Sequence, residues 1–149
     1  DSLDPELNTD VARALNQLEA VNRPLFAGAG IDLHWSVLTS LPNIQAERVL
    51  HIVRIVQEAL TNALRHAEAS QVDVVVSHDS SGLTINVSDD GKGFSSAEIV
   101  GRWLVIQRRR ALDAGIQFEL ESTPNHGTRV RLLLAHPQEL GDSLAPLHA

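Results

Sequence analysis

Apolar residues recur at Val11, Ala14, Leu15, Leu18 and Val21 with the three-and-four spacing of a helix, which predicts one over Asp10 to Ala27. Asn8, Thr9 or Asp10 can cap its start. Pro24 is expected to kink or end it, because proline lacks the amide hydrogen that a helix interior uses. After Gly28-Ala29-Gly30, the segment Ile31 to Leu38 alternates apolar and polar residues like a half-buried strand, and Leu41-Pro42-Asn43 forms a turn. The longest helical signal runs from about Ala46 to Glu68, where Val49, Leu50, Val53, Val56, Leu60, Ala63 and Leu64 sweep out one broad apolar face. Strands are expected at Val72–Ser77 and Leu83–Ser88, joined through Asp79-Ser80-Ser81-Gly82 as a hairpin. Phe94 to Arg102 reads as loop or short irregular helix and Leu104 to Ala114 as helix. Ile116–Glu121 and Thr128–Leu134 read as a second pair of strands, separated by Thr123-Pro124-Asn125-His126-Gly127. Beyond His136 the periodicity is lost and the end is expected to fray.

The order is thus helix, strand, helix, hairpin, helix, hairpin. Hairpins exclude an all-parallel sheet, whose neighbouring strands need long crossovers. The expected fold class is α/β: a two-layer α/β sandwich, its mixed and mainly antiparallel sheet covered by helices on one face. A length of 149 residues fits one domain. Aromatics make up only 3%, so the core must be aliphatic.

The net charge of −7 argues against sequence-general nucleic-acid binding, which relies on clustered Lys and Arg. The run Arg108-Arg109-Arg110 is too local to reverse this and reads as a solvated helix face. With no cysteine, disulfide and thiolate chemistry are excluded, and the chain suits a reducing cytoplasm. No apolar run approaches the ~20 residues of a membrane span, and no signal peptide is legible. The start at Asp1, without an initiator Met, suggests a fragment of a longer protein.

Two short stretches carry candidate chemistry. On the long helix Glu58, Asn62 and His66 stand at successive i, i+4 positions and form one polar stripe beside an apolar face. Asn62 offers a neutral oxygen to a hard cation such as Mg²⁺, and Glu58 can orient a metal-bound water or act as a base. Taken alone, the stripe fits the solvated side of an amphipathic helix equally well. The second stretch, Asp89-Asp90-Gly91-Lys92-Gly93-Phe94, follows a strand, where the glycines permit positive φ or close backbone approach. Asp89, at the strand's end, can reach into a cleft. Its carboxylate accepts hydrogen bonds and so suits adenine's exocyclic amine, whereas guanine presents a carbonyl oxygen there. Alone, this stretch too reads as an ordinary turn.

Together the stretches resemble the N-box and G1-box of the GHKL ATPase superfamily. The run Gln57-Glu58-Ala59-Leu60-Thr61-Asn62-Ala63-Leu64-Arg65-His66-Ala67 is similar to the N-box of sensor histidine kinases related to nitrate/nitrite sensors. The resemblance implies that Glu58 handles catalytic water or metal, that Asn62 coordinates Mg²⁺ with Glu58 beside it, and that His66, or Arg65, reaches the phosphates. It puts Asp89 on the adenine amine, with Gly91, Lys92 and Gly93 completing the turn around the nucleotide. Gly127-Thr128-Arg129-Val130 resembles the closing hairpin, whose Thr128 sits near adenine. The implied activity is transfer of the γ-phosphoryl group of MgATP to a histidine on a separate dimerisation domain, with a response regulator as downstream partner. The implied location is the cytoplasm, within a parent that can be membrane-anchored.

The third box of the family departs from its pattern. Gly101 and Leu104 of Gly101-Arg102-Trp103-Leu104-Val105-Ile106 are kept as nucleotide-binding candidates, but Trp103 and Ile106 stand where glycines are common. Trp103 then covers the nucleotide, blocks it, or packs in the core. Blocking would make the chain a degenerate-lid regulatory module; another GHKL ATPase, such as an anti-sigma serine kinase, is the further alternative. No segment like the family's phosphoacceptor helical hairpin is present, and His34 and His51 lie outside such a context. The expected organisation is a helix leading in from that hairpin over residues 1–28, an ATP-binding domain over 29–136 and a flexible tail over 137–149.

Overall fold

The computed structural model describes residues 8–65, 68–93 and 97–135, and of 97–100 the backbone only. The elements in chain order are β1 (Asn8–Asp10), α1 (Val11–Gly28), β2 (Asp32–Val37), β3 (Asn43–Gln45), α2 (Ala46–Arg65), β4 (Gln71–Asp79), β5 (Gly82–Asp89), α3 (Ala97–Ala114), β6 (Gln117–Ser122) and β7 (Thr128–Ala135). A five-stranded sheet runs in the order β2-β4-β5-β7-β6, and β1 pairs with β3 in a separate ribbon. Only β2 and β4 are parallel; the other neighbours in the large sheet are antiparallel. A parallel pair needs a long crossover, and α2 is that crossover. The two-layer sandwich expected from the hairpin order is therefore the fold.

Strand alternation assigns the sheet's two faces. Val72, Val74 and Val76 of β4, Leu83, Ile85 and Val87 of β5, and Val130, Leu132 and Leu134 of β7 are buried under the helices. The intervening positions, such as Arg129, Arg131 and Glu119, face outward, and Arg131 and Glu119 form an ion pair across β6 and β7. α2 supplies Val49, Ile52, Ile55, Val56, Ala59, Leu60 and Ala63 to the core. Burying an aliphatic side chain fully contributes roughly 1.5–3 kcal/mol, so this helix is a large contributor to the sandwich core. Leu50, expected in the apolar face of α2, is half exposed. The helix face is rotated toward Ile52 and Ile55, which lie over the sheet.

Several local expectations are corrected by packing. α1 continues through Pro24 to Gly28. The proline lies on the exposed side, and buried Phe26 holds the following turn in place, where the amide of Ile31 donates to its carbonyl at 2.9 Å. Val21 is exposed and Asn22 is buried in its place. Leu41-Pro42-Asn43 leads straight into β3, which pairs with β1. Segments this short and polar carry no strand periodicity. α3 begins at Ala97 rather than Leu104, since the ring of Trp103 and the fully buried Gln107 draw its early turns onto the domain. Phe94–Ser96, His66, Ala67 and the expected tail lie outside the described residues.

The side chain of Asp10 caps α1, accepting from the amides of Ala12 (2.9 Å) and Arg13 (3.4 Å). Asp10→Ala is expected to cost about 1 kcal/mol of stability, read as a lower denaturation midpoint in urea with an unchanged slope.

Candidate active site

The elements that carry the candidate residues converge at one end of the sheet. α2 closes at Arg65, β4 opens soon after at Gln71, and Val72 is paired with Asp89, the last residue of β5. Asp89 follows Leu83, Ile85 and Val87 in alternation and so lies on the face the helices cover. Glu58 and Asn62 are half-buried on the last turns of α2, beside the buried Ala59 and Ala63. The amide nitrogen of Asn62 is buried without a hydrogen-bond partner among the described residues. Leaving such a group unpaired costs about 1–3 kcal/mol, which a polar ligand atom at this point would offset. Arg65 is exposed at the helix end, and His66 lies outside the described residues.

Asp89 is half-buried and paired in register with Thr128 of β7. Burial pushes its carboxyl above the ordinary carboxylate range, against hydrogen bonds from the amides of Gly91 (2.9 Å) and Thr128 that favour the charged form. Its neighbour Asp90 behaves oppositely. The hydroxyl of Ser70 and the amides of Gln71 (3.0 Å) and Ser70 (2.8 Å) donate to it, holding its carboxyl below the ordinary value. Asp90 thus ties the start of β4 to the end of β5, whereas Asp89 accepts from the backbone amides of Gly91 and Thr128. Sequence reasoning missed this division, because adjacent aspartates look alike until their partners are known.

The turn after β5 is pressed against the β6–β7 turn. Gly93 has φ +71°, and a Cβ there would lie 2.4 Å from the carbonyl oxygen of Thr123. Gly127 has φ +82°, and a Cβ there would lie 2.0 Å from the carbonyl oxygen of Asp89. The Lys92 carbonyl accepts from the Asn125 amide at 2.7 Å, while the Lys92 ammonium is exposed and 3.6 Å from Glu68. Gly91 is buried. The hydroxyl of Thr128 lies 3.0 Å from that of Ser122. Asp89, Thr123, His126, Gly127, Thr128 and Arg129 line a cavity of ≈ 290 Å³ with Ser88 and Glu121. That volume is at the small end of ligand pockets, which run from about 300 Å³. Glu58 and Asn62 do not line it, and Ser88, Glu121 and Arg129, which do, alternate with the helix-covered positions of β5, β6 and β7.

Residues 47–138 match the family described as "Histidine kinase-, DNA gyrase B-, and HSP90-like ATPase". The chain belongs to this ATPase family. It is 37% identical over 84 residues to the sensor protein VraS of Staphylococcus haemolyticus, covering 55% of this chain and 24% of that protein. It is 33% identical over 116 residues to the sensor histidine kinase LiaS of Bacillus subtilis, covering 76% of this chain and 32% of that one. The chain thus spans a third or less of the curated relatives it matches. Among solved structures, the histidine kinase domain of the blue-light activated kinase of Erythrobacter litoralis superposes with a TM-score of 0.68 at 23% identity, over 89% of this chain and 65% of that one. The catalytic domain of the histidine kinase ThkA superposes with a TM-score of 0.69 at 13% identity, over 86% and 94%. These superpositions establish the fold.

In this ATPase-family chain the altered third box is helical. Gly101, Leu104, Val105 and Ile106 lie within α3; Gly101 is exposed, and a Cβ there would meet nothing within 4 Å. Trp103 is half-buried with its ring 6.0 Å from that of Phe118 on β6, and Leu104 is half-buried beside it. Trp103 thus packs its ring against the domain at Phe118.

Two outcomes follow. Gly127→Ala combines positive φ with a backbone overlap and should cost about 3 kcal/mol, visible in urea denaturation. For Asp90 the folded carboxyl is held low, so its contribution to stability is present above the unfolded value of 3.8 and lost as pH falls through the folded one. Asp90→Asn should therefore flatten the loss of stability measured between neutral and acid pH.

Proposed function

We propose that this chain is the ATP-binding catalytic domain of a sensor histidine kinase, which passes the γ-phosphoryl group of ATP to a histidine on a separate dimerisation domain. The reading rests on Asp89: a half-buried acid on the helix-covered face, paired with Thr128, while its neighbour Asp90 is engaged by Ser70. An acceptor in this position selects adenine's amine over guanine's carbonyl, because the wrong base would leave a buried acceptor facing another acceptor. Kinship with VraS and LiaS, named as sensor proteins, supports the kinase chemistry and a response regulator as the onward partner.

On the phosphate side, the unpartnered amide nitrogen of Asn62 is a donor suited to a phosphate or water oxygen, while its carbonyl oxygen and the carboxylate of Glu58 are of the oxygen type that a divalent cation takes. Mg²⁺ commonly takes only one or two protein ligands beside phosphate oxygens and water. When bound, it would neutralise phosphate charge that this acidic chain otherwise repels. Asn62 and Glu58 would hold it, and Arg65, Lys92 and His66 are the basic side chains proposed for the phosphates. Gly101 and Leu104 are retained as lid positions over them. Catalysis here consists mainly of positioning and charge stabilisation. Among the described residues no helix is long and apolar enough to cross a membrane; the domain is proposed to work on the cytoplasmic side of a longer parent.

The degenerate-module alternative, in which Trp103 closes the site, predicts no nucleotide binding. Calorimetry with a non-hydrolysable MgATP analogue should give binding by the wild type, loss of it in Asp89→Asn and Asn62→Ala, and preference over the guanine analogue by more than about tenfold. Absence of binding to the wild type at millimolar analogue would overturn the reading. Because burial raises the Asp89 carboxyl, affinity should begin to fall on acidification above the ordinary value of 3.8, as the acceptor becomes protonated.

A further inference from the structure

Two amide side chains lock α1 to α2. Asn22 is 1% exposed. Its nitrogen donates to the Gln57 carbonyl oxygen at 2.9 Å and to the Leu18 backbone carbonyl at 2.8 Å. The Gln57 nitrogen donates to the Asn22 carbonyl oxygen at 3.2 Å and to the Thr61 hydroxyl at 3.1 Å. All the amide hydrogens of the pair are thus used, so the polar groups are buried without an unpaired donor. An apolar pair would fill the same space with less desolvation. Directional bonds do what aliphatic packing cannot, selecting one register between two helices, as a buried asparagine does in a coiled coil.

The clasp adjoins the site on α2. Gln57 and Thr61 immediately precede Glu58 and Asn62, and successive residues of a helix are about 100° apart around its axis. The same turns of α2 therefore offer the clasp to α1 on one side and the acid–amide pair on the next. A rotation of α2 that opened the clasp would swing Glu58 and Asn62 by the same angle. α1 itself lies outside the family-matched span of residues 47–138, so the contact ties a segment beyond that span to the helix carrying the site.

We propose that Asn22 and Gln57 are positioning residues that set the rotation of α2 and thereby aim Asn62 and Glu58 at the metal–phosphate part of the ligand. The inference rests on the nucleotide-site reading above. The test uses the full chain and the double variant Asn22→Leu/Gln57→Met, which removes both partners together and leaves no orphaned amide of the pair. Its melting temperature should stay near that of the wild type, while affinity for MgADP falls about tenfold, the scale of lost supporting contacts to metal ligands. Affinity for ADP in EDTA should change less than about twofold, since the adenine end at Asp89 does not depend on the clasp. Thr61→Val, which removes a single bond, should give a smaller loss of the same kind and serves if the double variant unfolds. A double variant with unchanged MgADP affinity, or with equal losses with and without metal, overturns the proposal. An independent arm follows the Asn62 side-chain and Glu58 backbone amide resonances of ¹⁵N-labelled protein. Both should move in the variants while those of β7 stay. If the wild type bound no nucleotide the site reading would fall, and unmoved Asn62 and Glu58 resonances would still refute the positioning role by themselves.

Discussion

At Gly127 a Cβ would meet the Asp89 carbonyl oxygen at 2.0 Å, and at Gly93 one would meet that of Thr123 at 2.4 Å. The segment leaving β5 and the turn joining β6 to β7 are therefore pressed backbone to backbone, closer than any side chain allows. Asp89 owes its half-buried place to this contact, because the turn closes over the end of the strand and removes water from one side of the carboxylate. Desolvation, the largest influence on that acid, follows from the same closure. The Asp89–Thr128 pairing and the Ser122–Thr128 hydroxyl contact depend on it in turn.

α2 unites the rest. One face of it holds the core through Ile52, Ile55, Val56 and Leu60. A second contact, through Gln57, meets α1, and the border between core and solvent carries Glu58 and Asn62. A helix used on three sides has little rotational freedom, and an ATP site needs that stiffness where catalysis is mostly the holding of charges in place. The strained turn and the stiff helix meet at the same end of the sheet because the crossover from β2 through α2 to β4 delivers the helix's last turns beside the end of β5.

Much of this could be read from residue order. The period of the apolar residues marked the helices and the hairpins, and with them the mixed sheet. The pairing of Glu58 and Asn62 with Asp89, Gly91 and Gly93 pointed to a nucleotide. Less legible were features that depend on a partner far along the chain. Leu41-Pro42-Asn43 looked like a simple turn because the strand following it is satisfied only by β1. Trp103 allowed three readings because its ring finds Phe118 only once β6 is in place. Pro24 predicts a kink or end of α1, yet the helix continues past it to Gly28, with Phe26 buried.

By itself the sequence determined what recurs locally: the helical and strand periods, the aliphatic core, the absence of thiol chemistry and the presence of an acid, an amide and glycines in family-like spacing. The tertiary structure alone decided which of the twin aspartates is engaged by Ser70 and which is desolvated beside Thr128, that the Asn62 amide nitrogen is buried without a partner among the described residues, and that Asn22 on α1 answers Gln57 on α2. The division has a physical cause. Periodicity and turn chemistry are written into neighbouring residues, whereas burial and hydrogen-bond partnership are properties of the space between distant ones.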